Sequence, residues 1–404
     1  MKKMSLRNKA LTHMINMFAD GLPRLRLVLW DGSTFDFGSE PLVTITLSSP
    51  SLWRALLQGN FFRLGDGYVK GELTVDGRPE DIIGVGVKLA ERLERFRALG
   101  ALKLLTSFRL RQRSFGEDAA NVRRHYDISN DFFRLWLDRR LVYSCAYFRN
   151  GTESLDLAQE QKLEHICRKL MLRPGESLLD VGCGWGAFLR WATENHGVQG
   201  YGITLSENQF SEAKRALAHL GGKVSVALQN FKELEDDLAF DKIASIGMYE
   251  HVGASAICVY FTKMARMLKP GGLFLNHGII AGSKNGPSGG AFIERYVFPG
   301  GSVSPLSTII SEITSSGLEV IDVEDLRPHY VRTLTQWSER LEEHKEAAIE
   351  FAGVETYRIW RIYLAGMAHA FEHGWLSVAQ VLSSKPMGGR PTRRPWTRAH
   401  QYVS

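Results

Sequence analysis

The sequence predicts an α/β protein: a small N-terminal α+β domain followed by a Rossmann-like, seven-stranded, mostly parallel, doubly wound sheet. Three observations carry that reading. From about Gln159, apolar strand-like runs alternate with amphipathic segments of roughly 10–15 residues, the pattern of βαβ units. The first of those runs passes directly into a glycine-rich turn, "DVGCGWG", Asp180 to Gly186. Residues 20–90 instead alternate short β-type runs with the turn signals Asp31-Gly32, Asp66-Gly67 and Asp76-Gly77.

Taken in order, "LRLVLWDGSTFDFG", "LVTITLSS" and "FFRLGDGYVKGELTVDG" build the small domain, residues 1–90. A basic helical linker spans 91–124, where Arg92, Arg95, Arg97, Lys103, Arg109, Arg111 and Arg113 interleave with Phe96, Leu99, Leu102, Leu105 and Phe108. That pattern suits first a solvated helix packed by its apolar side, and second a face lying on an anionic bilayer. In the main domain, 125–386, "SLLDVGCG", "VQGYGITL", "KVSVALQN", "FDKIASIGMY" and "LFLNHGII" are strands, with "AFLRWATENHG", "SENQFSEAKRALAHLGG" and "ASAICVYFTKMARML" as helices between them. "LEVIDVEDL", two long helices and a last strand, "WLSVAQVLSSKP", complete it. Residues 387–404, with Arg390, Arg393, Arg394, Arg398 and no acidic residue, read as a basic flexible tail.

At 404 residues the chain can hold one large and one smaller domain. With 44% hydrophobic and 23% charged residues and no apolar run of membrane-spanning length, it reads as globular. The start, "MKKMSLRNKALTHMINMF", is basic but lacks an apolar export core, so a cytoplasmic location is expected. Cys145, Cys167, Cys183 and Cys258 show no CxxC spacing, which argues against a zinc knuckle or a disulfide framework. The net charge of +6 points to an anionic partner.

Gly182, Gly184 and Gly186 stand at the first strand-to-helix turn, where missing Cβ atoms let a ligand approach the backbone and a helix N-terminus offers free N–H groups. A dinucleotide turn would place its third glycine one residue later and put a carboxylate at the end of the second strand, where this chain has Thr204. A phosphate loop would need Gly-Lys-Ser/Thr, which is missing. S-adenosylmethionine is the alternative ligand for such a turn, and Asp180 can meet its cation or orient the loop.

"HYDISNDFF", "YSCAYF", "LDVGCGWG", "GITLSENQ", "MYEHVG", "LKPGG", "FIERYVFPGG" and "YLAGMAHAFEHGW", in this order, make the stretch from Arg124 to Pro386 resemble the cyclopropane-fatty-acyl-phospholipid synthases and the related mycolic acid methyltransferases. Residues 20–90 resemble the N-terminal domain of the longer, membrane-lipid members. The resemblance implies a class I methyltransferase fold. It implies S-adenosylmethionine held by Tyr143, Ser144, Asp180, Gly182, Cys183, Gly184, Gly186, Thr204 and Gln209, with Phe231 against the adenine and Asn230 where many members have Asp. It implies methylene transfer to a cis double bond of phospholipid acyl chains, through a carbocation deprotonated by bicarbonate. The positions matching the bicarbonate cage are Cys145, Glu250, His277, Ile279 and Tyr330. Each alone would read as ordinary packing; as a set, His277 and Tyr330 can donate to an anion, Cys145 and Ile279 can offer backbone groups, and Glu250 can accept a proton.

Phe292, Tyr296 and Phe298, with Val297, suit an acyl tunnel. Met367 replaces a cysteine found in many members, and a thioether is neither base nor nucleophile. "HAFEH", His369 to His373, fits a zinc pattern but has no third ligand in sequence view, so no metal is expected. The expected partners are membrane phospholipids at an anionic bilayer surface, with peripheral association at the inner face of the cell membrane, and a second copy in a homodimer; nucleic acid is not expected. Alkene methylation without ring closure, methylation of a small amine, and lipid binding by an inactive methyltransferase fold are the competing readings.

Overall fold

A computed structural model of the chain describes residues 24–99, 128–283, 290–298, 301, 303–388 and 395–402, and its contacts divide the chain into two compact units. In the first, β1 (Leu25–Val28), β2 (Thr34–Phe37), β3 (Val43–Leu47) and β4 (Leu73–Asp76) form a sheet in the order β2-β1-β3-β4. β1 and β3 pair parallel and the other neighbours antiparallel. Asp31-Gly32 turns β1 into β2 as expected, with Gly32 N donating to the Leu29 carbonyl at 2.9 Å.

Asp66-Gly67 does not form a turn: it lies inside the helix Phe61–Val69. Asn60 caps that helix, accepting from Arg63 N at 3.0 Å. A Cβ on Gly67 would stand 2.9 Å from Leu52 Cδ2, so the glycine serves close packing on the helix Pro50–Leu57 rather than a reversal of the chain.

The first unit is also not the contiguous stretch 1–90. It takes in Gly286–Tyr296 and Gly353–His369. Phe292 lies over Gly65, and Tyr296 Oη donates to Asp66 Oδ1 at 2.5 Å. Arg361 donates to the Gly77 carbonyl at 2.7 Å, and Ile362 packs on the core formed by Leu27, Leu47, Leu52 and Leu73. The boundary expected at 90/91 falls within one helix, Pro79–Leu99, and residues 100–124 of the expected linker lie outside the described residues.

The second unit is the α/β fold that the sequence predicts. Its sheet comprises β5 (Ser177–Val181), β6 (Gln199–Thr204), β7 (Val224–Leu228), β8 (Phe240–Ile246), β9 (Leu268–Ala281), β10 (Glu319–Asp325) and β11 (Leu376–Ser384), in the order β10-β11-β9-β8-β5-β6-β7. β7, β6, β5, β8 and β9 run parallel, and β11 enters antiparallel between β9 and β10. Strand order reverses at β5, so a crevice opens at its carboxyl end. Two apolar layers sandwich the sheet, one around Phe261, Met264 and Phe274, the other around Ile166, Leu189 and Leu275.

The expected flexible tail needs correction over its described end. Gln401 is buried, Arg398 pairs with Asp322, and Tyr402 Oη donates to Glu324 Oε1 at 3.2 Å. The acidic edge of β10 supplies the partners that a basic segment would otherwise seek in solvent. No helix among the described residues is long and apolar enough to cross a membrane.

Candidate active site

At the carboxyl end of β5 the chain turns through Gly182 (φ +80°) and Gly184 (φ +55°). Gly182 N and Cys183 N both donate to the Ile203 carbonyl at 2.9 Å, which pins the turn to β6. A Cβ on Gly184 would meet no protein atom within 4 Å: the bare backbone faces open space. That space is a cavity of about 130 Å³, far more than the ~10–15 Å³ one water needs.

Ten of the eleven sequence-predicted cofactor residues line it: Tyr143, Ser144, Asp180, Gly182, Cys183, Gly184, Thr204, Gln209, Asn230 and Phe231. Gly186 is the exception. It caps the helix Ala187–His196, and a Cβ there would stand 2.9 Å from Leu217 Cδ1, so its missing side chain serves helix packing.

The wall opposite the turn is held by side chains the sequence reading passed over. Asp138 accepts from Val142 N at 2.8 Å and Arg140 N at 2.9 Å, closing a loop in which Leu141 takes φ +58°. From the helix Leu155–Lys169, Gln159 Nε2 donates to the carbonyls of Ser144 (2.9 Å) and Val142 (3.2 Å), and Lys162 Nζ donates to Ser144 Oγ at 2.8 Å. Gln159 and Lys162 are fully buried. A signal for them existed: they sit three apart on the stripe that also carries Leu155, Ala158, Leu163 and Ile166, and polar residues on an apolar face need a specific partner.

Burial sets the electrostatics of the cavity. It pushes the Asp180 carboxyl up to about 7, with Lys162 pulling the other way. It brings the Lys162 ammonium down to about 8, against the opposing pull of Asp138, Cys145 and Asp180. At the Asn230–Phe231 part of the lining, Asn230 Oδ1 accepts from Lys232 N at 3.0 Å and Asn230 N donates to Glu233 Oε2 at 3.1 Å. That capping box fixes Phe231, whose ring stands edge-on to Tyr260. Asn230 therefore shapes the turn as well as lining the cavity.

The five predicted cage residues do not line this cavity. Cys145, His277 and Tyr330 are buried and Glu250 and Ile279 half-buried, and the group adjoins the cavity at two points, through the Ser144–Cys145 peptide and through the 2.8 Å bond from Gly247 N to the His277 carbonyl. Within the group, Ile279 N donates to Glu250 Oε1 at 2.8 Å, while the Ile279 carbonyl accepts from Tyr249 Oη. Gly278 makes room for this: a Cβ there would penetrate the Tyr249 ring. Both backbone groups of Ile279 are thus occupied by protein.

Leu326 ties in the other two positions. Its carbonyl accepts from Tyr330 N and faces Cys145 Sγ at 3.8 Å, and its N–H donates to Val378, the register partner of Ile279. Burial raises the Cys145 thiol and so disfavours the thiolate there. Burial also raises Glu250, to about 7, and holds His277 well below its usual range, so its ring is neutral. Glu250 Oε2 and His277 Nε2 are buried atoms without a hydrogen-bond partner among the described residues.

The predicted tunnel residues separate. Phe292 and Tyr296 pack within the N-terminal unit as described above, whereas Phe298 lies 5.4 Å, ring to ring, from His251 on the cavity wall. Met367 is buried.

The profile of a family described as mycolic acid cyclopropane synthetase matches residues 113–381, and that of a domain of unknown function matches residues 13–95. A probable fatty acid methyltransferase of Pseudomonas putida is 42% identical over 384 residues, covering 94% of this chain and 96% of that protein. Cyclopropane mycolic acid synthase 1 of Mycobacterium tuberculosis is 36% identical over 280 residues, 66% of this chain and 97% of that protein. Among solved structures, the cyclopropane synthase MmaA2 from Mycobacterium tuberculosis superposes with a TM-score of 0.64 at 34% identity, over 66% of this chain and 98% of that one. The mycolic acid cyclopropane synthase CmaA1 complexed with SAH and CTAB gives 0.63 at 36% identity, over the same shares.

Proposed function

We infer that this chain, which belongs to the mycolic acid cyclopropane synthetase family, is an S-adenosylmethionine-dependent methyltransferase that cyclopropanates unsaturated acyl chains of membrane phospholipids. One observation carries the reading: a cavity floored by bare glycine backbone adjoins, through two backbone links, a group of residues with a buried carboxylate oxygen and a buried imidazole nitrogen that have no partner among the described residues. The fit to the two small molecules is a matter of donors and space. The open face of Gly184 and the Asp180 carboxyl suit a sulfonium-bearing ligand, and Glu250 Oε2 with His277 Nε2 suit a small oxyanion such as bicarbonate.

When bound, S-adenosylmethionine supplies an electrophilic methyl group to the alkene, and bicarbonate supplies the base that lets the resulting cation on the acyl chain close to a ring. The chain's own residues do the rest. Gln159 and Lys162 hold the Tyr143–Ser144 wall, so the methyl donor is seated in one orientation. His277, Glu250 and Tyr330 position an anion beside the place where positive charge develops, and fully buried Cys145, Ala146 and Asn276 keep water, which would capture a cation, out of the cluster. The net charge of +6 and the basic run between Arg92 and Arg124 support docking on an anionic bilayer, where the substrate lies.

The test is mass spectrometry and proton NMR of phospholipids from a host lacking the activity, with and without this protein. A gain of one CH2 per unsaturated chain with loss of olefinic signals is expected. A gain of CH2 with a branched methyl and no cyclopropyl signal would assign alkene methylation instead. Unchanged lipids, in a preparation that binds S-adenosylhomocysteine, would overturn the reading.

A further inference from the structure

His277 lies on β9 and Gln380 on β11, directly opposite each other in the antiparallel ladder. Both side chains are fully buried, and Gln380 Nε2 stands 3.1 Å from His277 Nδ1. An amide nitrogen can only donate, so His277 Nδ1 must accept, and a neutral imidazole that accepts at Nδ1 carries its proton on Nε2. His277 Nε2 has no partner among the described residues, and neither has Oε2 of Glu250, whose other oxygen accepts from Ile279 N, two residues along β9 from His277. One atom then offers a hydrogen and the other a lone pair.

We infer that Gln380 is a positioning residue: it fixes the proton of His277 on Nε2, so that the ring presents a donor to the oxyanion proposed above. The inference rests on the oxyanion reading above, but the tautomer itself belongs to the protein alone. A glutamine serves here where a carboxylate would fail. A carboxylate would draw the imidazole proton to Nδ1 and turn a lone pair, or a full imidazolium, toward the cluster. Neutral Gln380 leaves the ring neutral and the donor outward. The same logic orients metal-bound histidines through the partner on their second nitrogen.

The experiment uses full-length protein with nitrogen-15 in its histidines, the His277 signals being identified by their loss in His277→Gln. Two-bond proton–nitrogen correlation spectra should show His277 protonated at Nε2 and unprotonated at Nδ1 in the wild type. Gln380→Glu should move the proton to Nδ1 or protonate both nitrogens. It should also lower kcat by roughly 10- to 100-fold, with the dissociation constant for S-adenosylhomocysteine unchanged within about twofold. A wild-type ring protonated at Nδ1 overturns the inference, as does a Gln380→Glu variant with unaltered tautomer. If Gln380→Glu does not fold, the wild-type tautomer decides. Unmodified lipids with an Nε2–H ring would sink the proposed activity and leave the tautomer assignment standing; modified lipids with an Nδ1–H ring would do the reverse.

Discussion

Glu250 has one carboxylate oxygen on the Ile279 amide and the other unpaired, and burial lifts its pKa to about 7. If it accepts a proton in the reaction, it must be ionised, so kcat should rise as pH increases through about 7. Glu250→Gln should remove that inflection and lower kcat more than cofactor affinity. The same shift has a stability consequence of opposite sense. The folded state binds this proton more tightly than the unfolded chain, whose glutamate titrates near ~4.3, so stability is lost as pH climbs between the two values. Glu250→Gln, which keeps an acceptor for Ile279, should leave melting unchanged near pH 4. At pH 8 it should stabilise by up to about 4 kcal/mol. Thermal melts at the two pH values check this, and equal melting at pH 8 would show that the carboxyl carries no buried penalty. Glu250, His277, Tyr330 and the residues that line the cavity were legible through the motifs that carry the family resemblance, because such motifs tie residue type to order along the chain. Gln380 and Lys162 were not, since a single polar residue in an apolar strand or helix is given a meaning only by what the fold sets opposite it.

At the scale of elements, the helix Leu155–Lys169 acts as a clamp, with Gln159 and Lys162 reaching the Val142–Ser144 strip. Gln159→Leu strips two carbonyls of their donor at a cost of roughly 1–3 kcal/mol each, and should lower the melting temperature. Lys162→Met keeps the apolar stem and removes the bond to Ser144; it should weaken S-adenosylhomocysteine binding about tenfold, the equivalent of ~1.4 kcal/mol, measured by calorimetry. An unchanged affinity would confine Lys162 to a packing role. On β9, Gly278→Ala should collide with the Tyr249 ring and displace Glu250 with it. Tyr249→Ala alone loses packing, but in the double variant the collision is gone, so the two penalties should sum to more than the double variant's loss. The inner strands were legible because burial on both faces writes largely apolar runs between amphipathic helices, and the half-exposed edge strands β7 and β10 by their β-branched residues. The helix Phe61–Val69 was not: Asp66-Gly67 signals a turn locally, and only the approach of Leu52 explains the glycine there.

On the scale of the whole molecule, the N-terminal unit is assembled from three separated stretches of chain, which no contiguous reading of composition could foresee. Its short four-stranded sheet is finished by residues that arrive about 200 and 280 positions later in a chain of 404. Arg361 is the clearest such contribution, spanning the Val75 carbonyl (3.3 Å), the Gly77 carbonyl (2.7 Å) and Tyr68 Oη (3.2 Å), while Arg358 donates to the Val69 carbonyl at 3.2 Å. Hydrogen bonds to a charged donor contribute roughly 1.5–3 kcal/mol each, comparable to a sizeable share of the ~5–15 kcal/mol that holds a domain together. A fragment ending at Arg109 should therefore lack a cooperative thermal transition by circular dichroism, although it contains every strand of the sheet. In the full-length protein, Arg361→Ala should make the N-terminal unit exchange its β4 amides faster while those of β5 and β8 keep their protection. A cooperative fragment, or equal loss of protection in both sheets, would mean that the late segments decorate the first unit rather than complete it.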